Sequence, residues 1–253
     1  MRPAQTHVLG SIISFFQLTA GILVHALTHL DALRRRPVME VTFKQIYFTG
    51  IQALLPASFA AVAIGLTMET QLRALLGSGI ELNVKMLKLV VLREFAPLFT
   101  AFIVLGRSGA AIASELAAMK VQGEIRGLYL MGIDPGEYLL VPRVVGCAVA
   151  VPVLIFYFQA IVAGMGPALA SMIVEIDLGP YYQALFSSFT VQELLLSVTK
   201  NTCFGLVIAA TACSSGIYVP PSRIWIPQAA ELAVMRGFIL LLTTDVLFAL
   251  LTL

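Results

Sequence analysis

The chain contains 253 residues, of which 59% are hydrophobic and only 12% are charged. Soluble domains carry about 25% charged residues, so this composition excludes a water-soluble globular protein and indicates an integral membrane protein. The formal net charge of +2 is small, and no nucleic-acid partner is expected. The three cysteines, Cys147, Cys203 and Cys213, lie in apolar segments without C-x-x-C spacing, which predicts neither a zinc site nor a dithiol.

Five segments are long and apolar enough to cross a membrane, which takes roughly 20 residues of helix. None of them alternates with a period of two, so the pattern favours helices over the strands of a barrel. Residues 164–190 are mixed in polarity, and residues 214–227 contain three prolines and predict a loop. The predicted spans cover residues 46–68, 84–105, 139–162, 194–212 and 233–253.

A further apolar stretch, residues 8–30, precedes the first span and ends at Asp31 and a run of arginines. It lacks the basic start and short apolar centre of a cleavable signal peptide. Two placements remain open: a helix in the membrane interface, or a further span with the N-terminus outside. Because no repeat and no soluble domain is visible, we predict one all-α membrane domain over residues 1–253. Its residues 1–45 form an interfacial helix and linker, and residues 46–253 form the transmembrane part.

Basic residues indicate the orientation, because cytoplasmic connections carry an excess of lysine and arginine. One set of connections is rich in them, whereas the opposite set holds only Arg73, Lys85 and Lys88, with none between positions 163 and 192. We therefore predict residues 107–137 in the cytoplasm and residues 163–192 outside. The basic residues of the first set are Arg34, Arg35, Arg36, Lys44, Arg107, Lys120, Arg126, Arg143 and Arg223.

A short amphipathic helix is predicted over residues 115–131, in the cytoplasmic connection between the second and third spans. Within it Lys120 and Glu124 are four residues apart and can pair. Such a helix, tied to two spans, suits a docking partner, although an ordinary surface helix has the same pattern. Its apolar face repeats at three- and four-residue spacing in Leu116, Met119, Gly123, Gly127 and Met131.

The end of this helix and the start of the third span are well marked in the sequence. Gly132 suits the left-handed position that follows a helix. Asp134 then suits an N-cap, Pro135 the first helical position and Glu137 the third. The chain is therefore expected to turn between Gly132 and Pro135.

These residues belong to a longer series that agrees in order and spacing with a known family. In this series the chain resembles the MlaE (YrbE) permeases. The match is dense over residues 92–143 and looser from residue 45 to the end. After Ser214 it departs from the family, because Val219-Pro220-Pro221-Ser222-Arg223-Ile224-Trp225 replaces a Gly-rich stretch. The series comprises Leu92-Arg93-Glu94, Gly106-Arg107-Ser108-Gly109, Glu115-Leu116, Met119-Lys120-Val121, Glu124, Met131-Gly132-Ile133-Asp134-Pro135, Tyr138-Leu139 and Pro142-Arg143.

The resemblance implies the membrane subunit of an MCE-type ABC transporter in the inner membrane of a diderm bacterium. Such transporters move phospholipids between the two membranes and maintain the lipid asymmetry of the outer membrane. The implied assembly is a permease homodimer with cytoplasmic ATPase subunits, a ring of MCE-domain proteins and, in some systems, a STAS-domain protein. ATP and Mg²⁺ are expected in the ATPase subunit, because no G-x-x-x-x-G-K-[ST] motif occurs here. The residues implied in coupling to that ATPase are Glu115, Met119, Lys120, Glu124, Gly132, Asp134 and Pro135.

Four charged residues, Arg93, Glu94, Lys200 and Asp245, fall inside predicted spans, where ionisable groups are costly and usually functional. At about 1.5 Å per residue, Arg93 lies roughly 13 Å, Lys200 roughly 9 Å and Asp245 roughly 12 Å from the outer ends of their spans. Three helices thus place two cations and two anions in one layer. We expect this layer to bind a lipid headgroup, a role that the resemblance supports; an ion-pair cluster that only fixes packing is the alternative.

Other functions are less compatible with the sequence. A membrane-embedded protease needs a Ser/His dyad or paired aspartates in its spans, and Asp245 is the only aspartate there. An ion-coupled secondary transporter usually shows repeated halves. His25 and His29 have metal-ligand spacing but lack a third ligand, so we predict no metal site. A permease for another hydrophobic substrate, such as a sterol, fatty acid or solvent, remains the alternative.

Overall fold

The computed structural model describes residues 17–77, 79–174 and 176–251. These residues form eight helices of seven residues or more and a short 3-10 helix, Leu30–Arg34, and no strand occurs among them. Five of the helices are long and apolar enough to cross a membrane, which confirms the predicted all-α membrane fold. The helices are α1 (Gln17–Thr28), α2 (Arg36–Leu76), α3 (Ile80–Val121), α4 (Glu124–Leu130), α5 (Gly136–Ala170), α6 (Leu178–Ser187), α7 (Val191–Ile217) and α8 (Trp225–Leu251).

Helix α5 lies at the centre of the bundle and packs against α2 and α7. Helix α7 also contacts α3 and α8, and α3 contacts α8, so α5 is surrounded while α8 lies at the edge. Helices α2 and α5 cross closely. A Cβ added at Gly166 would lie 3.0 Å from the backbone of Gly65, so this crossing depends on two residues without side chains.

The long helices extend beyond the predicted spans because their polar ends continue the helical hydrogen bonding outside the apolar stretch. Helix α3 has 42 residues, about 63 Å at 1.5 Å per residue, against roughly 30 Å of hydrocarbon. Two stretches of it are π-helical, Leu87–Phe95 and Leu105–Gly109. Helix α7 continues to Ile217 and α8 begins at Trp225, so the loop predicted over residues 214–227 shrinks to residues 218–224.

The single helix predicted over residues 115–131 is wrong. The chain breaks at Gly123, whose φ of +81° favours glycine, and the part before the break belongs to α3. As a result Lys120 does not pair with Glu124 but donates to the carbonyl of Ile217 at 2.5 Å. The predicted apolar face is divided as well, because Leu116 is buried whereas Met131 is 68% exposed.

In the turn into α5, Gly132 and Asp134 have the predicted roles of left-handed residue and N-cap. Gly132 has a φ of +74°. The Asp134 carboxylate accepts a hydrogen bond from the Gly136 N–H at 2.8 Å and so caps the start of α5. Glu137 does not complete a capping box; its carboxylate lies 2.6 Å from Arg35 Nη1 and ties the linker before α2 to α5.

Helix α1 covers the described part of the apolar stretch predicted over residues 8–30. Its Ile22 and Ala26 are buried against the bundle, whereas Val24 and Leu27 are exposed. One apolar side thus contacts the protein and another faces its surroundings. Residues 8–16 lie outside the described residues.

Candidate functional site

The four charged residues predicted to form one layer lie together in the bundle. Lys200 of α7 is at their centre, with only 8% of its side chain exposed. Its Nζ lies 2.6 Å from Glu94 Oε2 and 2.6 Å from Asp245 Oδ1, and it donates to the Arg93 carbonyl at 3.3 Å. The contact with Glu94 is a hydrogen-bonded ion pair, whereas that with Asp245 lacks hydrogen-bond alignment and is an ion pair alone. One buried ammonium therefore joins α3, α7 and α8.

Arg93 is the most loosely held member of this cluster. Its Nε lies 3.4 Å from Glu94 Oε1, so the two adjacent residues contact each other. The side chain is 38% exposed. Among the described residues no hydrogen bond is made by its two Nη atoms. These atoms form the planar fork that matches a phosphate or carboxylate.

The π-helical stretch Leu87–Phe95 explains how α3 directs several charges to one side. In an α-helix Lys88 and Arg93, five residues apart, would point about 140° away from each other. A π-helix bonds residue i to residue i+5 and brings such residues onto one face. Both side chains consequently line the same cavity. Hydropathy gives no sign of this hydrogen-bond pattern, so it could not be predicted from the sequence.

This cavity has a volume of about 420 Å³, within the range of small-ligand sites. Most of its lining is apolar and aromatic, and its charged groups lie on α3 and α7. Gln159 of α5 donates a hydrogen bond of 2.7 Å from Nε2 to the carbonyl of Leu92, in the π-helical stretch of α3, and so fixes this wall of the cavity. The aromatic lining residues are Phe156, Phe186, Phe189 and Phe248, and the charged ones are Lys88, Arg93, Glu94, Glu193 and Lys200.

A second ion pair, which the sequence analysis missed, lies beside the cavity at the α6 end. Lys88 Nζ is 2.7 Å from Glu193 Oε2. Lys88 also donates to the Ser188 carbonyl and lies 5.6 Å from the centre of the Phe189 ring. Both residues stand at the ends of predicted spans, where charges are ordinary, so no signal in the sequence separated them from solvated surface residues.

A third polar cluster, also missed, is buried between α2 and α6. Glu69 and Tyr181 are fully buried, and the Tyr181 hydroxyl donates to Glu69 Oε2 at 2.8 Å. Arg73 Nε lies 3.2 Å from Glu69 Oε1, and its guanidinium lies 5.9 Å from the Tyr181 ring centre. Burial, and next the Glu69 carboxylate, raise the pKa of Tyr181 well above its usual range, so the hydroxyl stays a donor. The spacing of Glu69 and Arg73 was a possible signal, but Tyr181 lies in a segment of mixed polarity.

The residues implied in coupling have different surroundings. Glu115 Oε1 lies 3.1 Å from Nη2 of Arg143, so this carboxylate links α3 to α5. Met119 is partly buried against the core, and Lys120 lies in the last turn of α3. Gly132, Asp134 and Pro135 lie in the connection from α4 to α5. Glu115, Glu124, Gly132 and Asp134 are exposed. Glu115 is engaged by Arg143, whereas Glu124, at the start of α4, is open to a partner.

The end of α4 that precedes Gly132 is exposed and apolar, a feature that was not predicted from the sequence. Tyr129 is 64% exposed and Leu130 81% exposed. They follow Glu124 on α4 and precede Gly132. A projecting apolar tip held by two long helices is typical of a protein-docking surface.

Nothing in the described parts of the chain forms a group of three or more His, Cys, Asp and Glu residues able to hold a metal ion. The His25 and His29 rings lie with their centres 4.3 Å apart. His29 Nδ1 lies 3.0 Å from the His25 carbonyl, so its ring is engaged by the last turn of α1.

Comparison with known proteins gives consistent matches over most of the chain. The family model of the MlaE permease matches residues 42–251. A "Probable ABC transporter permease protein" of Synechocystis sp. is 25% identical over 90% of this chain and 85% of its own length. One of Rickettsia prowazekii is 26% identical over 95% of each chain. The chloroplastic protein TRIGALACTOSYLDIACYLGLYCEROL 1 of Arabidopsis thaliana is 24% identical over 81% of this chain and 59% of its own length.

Proposed function

This chain belongs to the MlaE permease family and is a multi-pass ABC transporter permease, and from that premise we propose that its substrate is a phospholipid. In this proposal it sits in the inner membrane of a diderm bacterium. There it moves phospholipids between the inner and outer membranes and so maintains the lipid asymmetry of the outer membrane.

The observation that carries the proposal is the cavity of about 420 Å³ with the Arg93–Glu94–Lys200–Asp245 cluster at its wall. The apolar and aromatic lining suits acyl chains, whose burial stabilises a complex by about 0.8 kcal/mol per methylene group. The Nη atoms of Arg93 suit the phosphate of the headgroup. The carboxylate of Glu94, about one third exposed, suits the amine of a zwitterionic headgroup.

Two further observations support a lipid substrate. The Arabidopsis relative carries the name of a diacylglycerol lipid, which is the backbone class of phospholipids. The charged groups of the cavity nearly cancel, with Lys88, Arg93 and Lys200 against Glu94 and Glu193, as suits a headgroup that carries both signs. A fatty acid or sterol has no such pair of charges, so either fits this site less well.

The proposed partners follow from the surfaces around the bundle. A separate ATPase subunit would supply ATP and Mg²⁺ and would dock at α4, through Glu124 and the exposed Tyr129 and Leu130. The exposed apolar face of α8, which includes Phe238 and Val246, suits the second copy of a homodimer. We place a ring of MCE-domain proteins at the α6 side and a STAS-domain protein, where present, with the ATPase.

Mass spectrometry of lipids extracted from the purified complex tests this function. The complex would be compared with the Arg93→Ala variant and with Arg223→Ala, a control that removes an exposed arginine in the α7–α8 loop. We expect bound phospholipid in the parent and in the control, and several-fold less in Arg93→Ala. A parent that retains only fatty acids, sterols or no lipid would refute the phospholipid assignment.

A further inference from the structure

Two ion pairs cross-link α3 and α7 along the wall of the cavity, with opposite polarity. In the inner pair α3 supplies the carboxylate, Glu94, and α7 the ammonium, Lys200, at 2.6 Å. In the outer pair α3 supplies the ammonium, Lys88, and α7 the carboxylate, Glu193, at 2.7 Å. Glu193 and Lys200 are seven residues apart, so they share one helix face about 10.5 Å apart along its axis. The cavity lies between them.

The outer pair also holds the connection between α6 and α7. Lys88 donates to the Ser188 carbonyl and faces the ring of Phe189. Glu193 accepts a hydrogen bond of 3.1 Å from the Thr190 N–H, so it caps α7 at the same time. Phe189 belongs to the wall of the cavity. A backbone segment that covers the cavity is therefore fastened to α3 through Lys88.

The two pairs differ in how many carboxylates hold the ammonium. Lys200 is 8% exposed and lies 2.6 Å from two carboxylates, those of Glu94 and Asp245. Lys88 is 15% exposed and, among the described residues, is paired with Glu193 alone, whose side chain is 37% exposed, close to the 32% of Glu94. Partly exposed ion pairs are weak and screened by salt, so they break and re-form easily. The outer pair, with one carboxylate, thus suits a contact that opens during each passage, and the inner pair, with two, suits a permanent one.

We propose that Lys88 is a positioning residue that keeps the α6 end of the cavity closed, by holding the Ser188–Thr190 connection in place. The connection, Lys88 and Glu193 together form a latch. When the pair separates, the connection is released from α3 and the cavity opens towards α6. The nature of the molecule that passes rests on the phospholipid function proposed above, but control of access by Lys88 does not.

Labelling of a cavity residue measures this control without any lipid assay. Ser197 lines the cavity on α7, one turn from Glu193, and Ser197→Cys places a thiol there. The rate of its reaction with a bulky membrane-impermeant maleimide would be followed in the purified complex. Native Cys147 and Cys213 are buried and Cys203 is partly buried, so the parent without the new cysteine gives the baseline.

Lys88→Ala should raise the labelling rate of Cys at position 197 about tenfold or more, and Lys88→Arg should leave it near the parent value. The exchange of Lys88→Glu with Glu193→Lys should restore slow labelling in part. Lys85→Ala is the matched control, because Lys85 is an exposed lysine on the same helix that does not line the cavity.

Salt supplies a second readout, which a merely structural role would not change. From about 0.1 M to about 1 M salt the Debye length falls from about 10 Å to about 3 Å. The parent should therefore label faster at high salt, and Lys88→Ala should show no salt effect. Equal rates in Lys88→Ala and Lys85→Ala, or a lower thermal stability of Lys88→Ala with unchanged labelling, would overturn the proposal. Neither result would affect the lipid content measured for the proposed function.

Discussion

Replacement of Lys200 by methionine should destabilise the protein, and the contacts of Lys200 set the size of the effect. The change keeps most of the side-chain volume and removes the ammonium that faces Glu94, Asp245 and the Arg93 carbonyl. Removing one member of a buried ion pair costs about 3–5 kcal/mol. Glu94 is one third exposed and keeps Arg93, so the cost falls mainly on Asp245, whose side chain is 14% exposed. We therefore expect the free energy of unfolding to fall by about 3 kcal/mol, at the lower end of this range.

A loss of that size lowers the melting temperature of a chain of this length by about 6–12 °C. It can be followed with a thiol-reactive dye in detergent, because the buried Cys147 and Cys213 become reactive on unfolding. Lys200→Met with Asp245→Asn should recover most of the loss, since the stranded charge is gone. Lys200→Met with Glu94→Gln should recover little, because Asp245 stays charged and Arg93 loses its partner.

The difference between the two double variants is the decisive result. Equal stabilities of the two, or a Lys200→Met protein as stable as the parent, would contradict the assignment of the cost to Asp245. The same variants also test function. A stable Lys200→Met, Asp245→Asn protein with normal lipid content and normal resistance of the cells to detergent would show that the cluster only fixes packing.

Three further predictions concern other parts of the chain. Tyr181→Phe should lower the free energy of unfolding by about 1.5 kcal/mol in the same thermal assay, the value of a hydrogen bond to a charged group. Tyr182→Phe, at a less buried site, should lower it less, and the reverse order would contradict the role of the buried cluster. Glu124→Lys should abolish co-purification with the ATPase subunit without a change in melting temperature, since it is exposed; normal assembly and activity would exclude a docking role. A cysteine in place of Arg126 should label only from the cytoplasmic side and one in place of Gln183 only from outside, and the opposite pattern would reverse the predicted orientation.

Hydropathy was sufficient to predict the five spans, because the requirement for about 20 apolar residues leaves few alternatives. It could not predict their ends. The segments 36–45 and 106–121 contain charges that lower the hydropathy, yet both are helical. The first joins its span through a short 3-10 stretch, Ile51–Ala53, and the second continues α3 directly. Helix α3 ends just before Gly123 and not at the start of the polar segment. Only the backbone conformation, with the positive φ of Gly123, distinguishes these two positions.

Only part of the candidate site could be predicted from the sequence. Arg93, Glu94, Lys200 and Asp245 were noticeable because charges inside spans are rare, and the structure brings all four into contact. Lys88 lies near the end of a span, where a lysine is expected. Its role depends on the π-helical turn and on the path of the α6–α7 connection, and both are properties of the folded chain.

The two π-helical stretches give α3 a property that an ordinary helix lacks. Each π turn contains one residue more than an α turn, and conversion to α-helical bonding would rotate everything beyond it by about 100°. The stretch Leu87–Phe95 lies at the cavity, and the stretch Leu105–Gly109 lies between the cavity and α4. A twist applied to α3 at its α4 end can therefore be absorbed at two defined points along the same helix. The first of these points carries Lys88, Arg93 and Glu94, so a change of helical winding there would re-aim three charges of the cavity together.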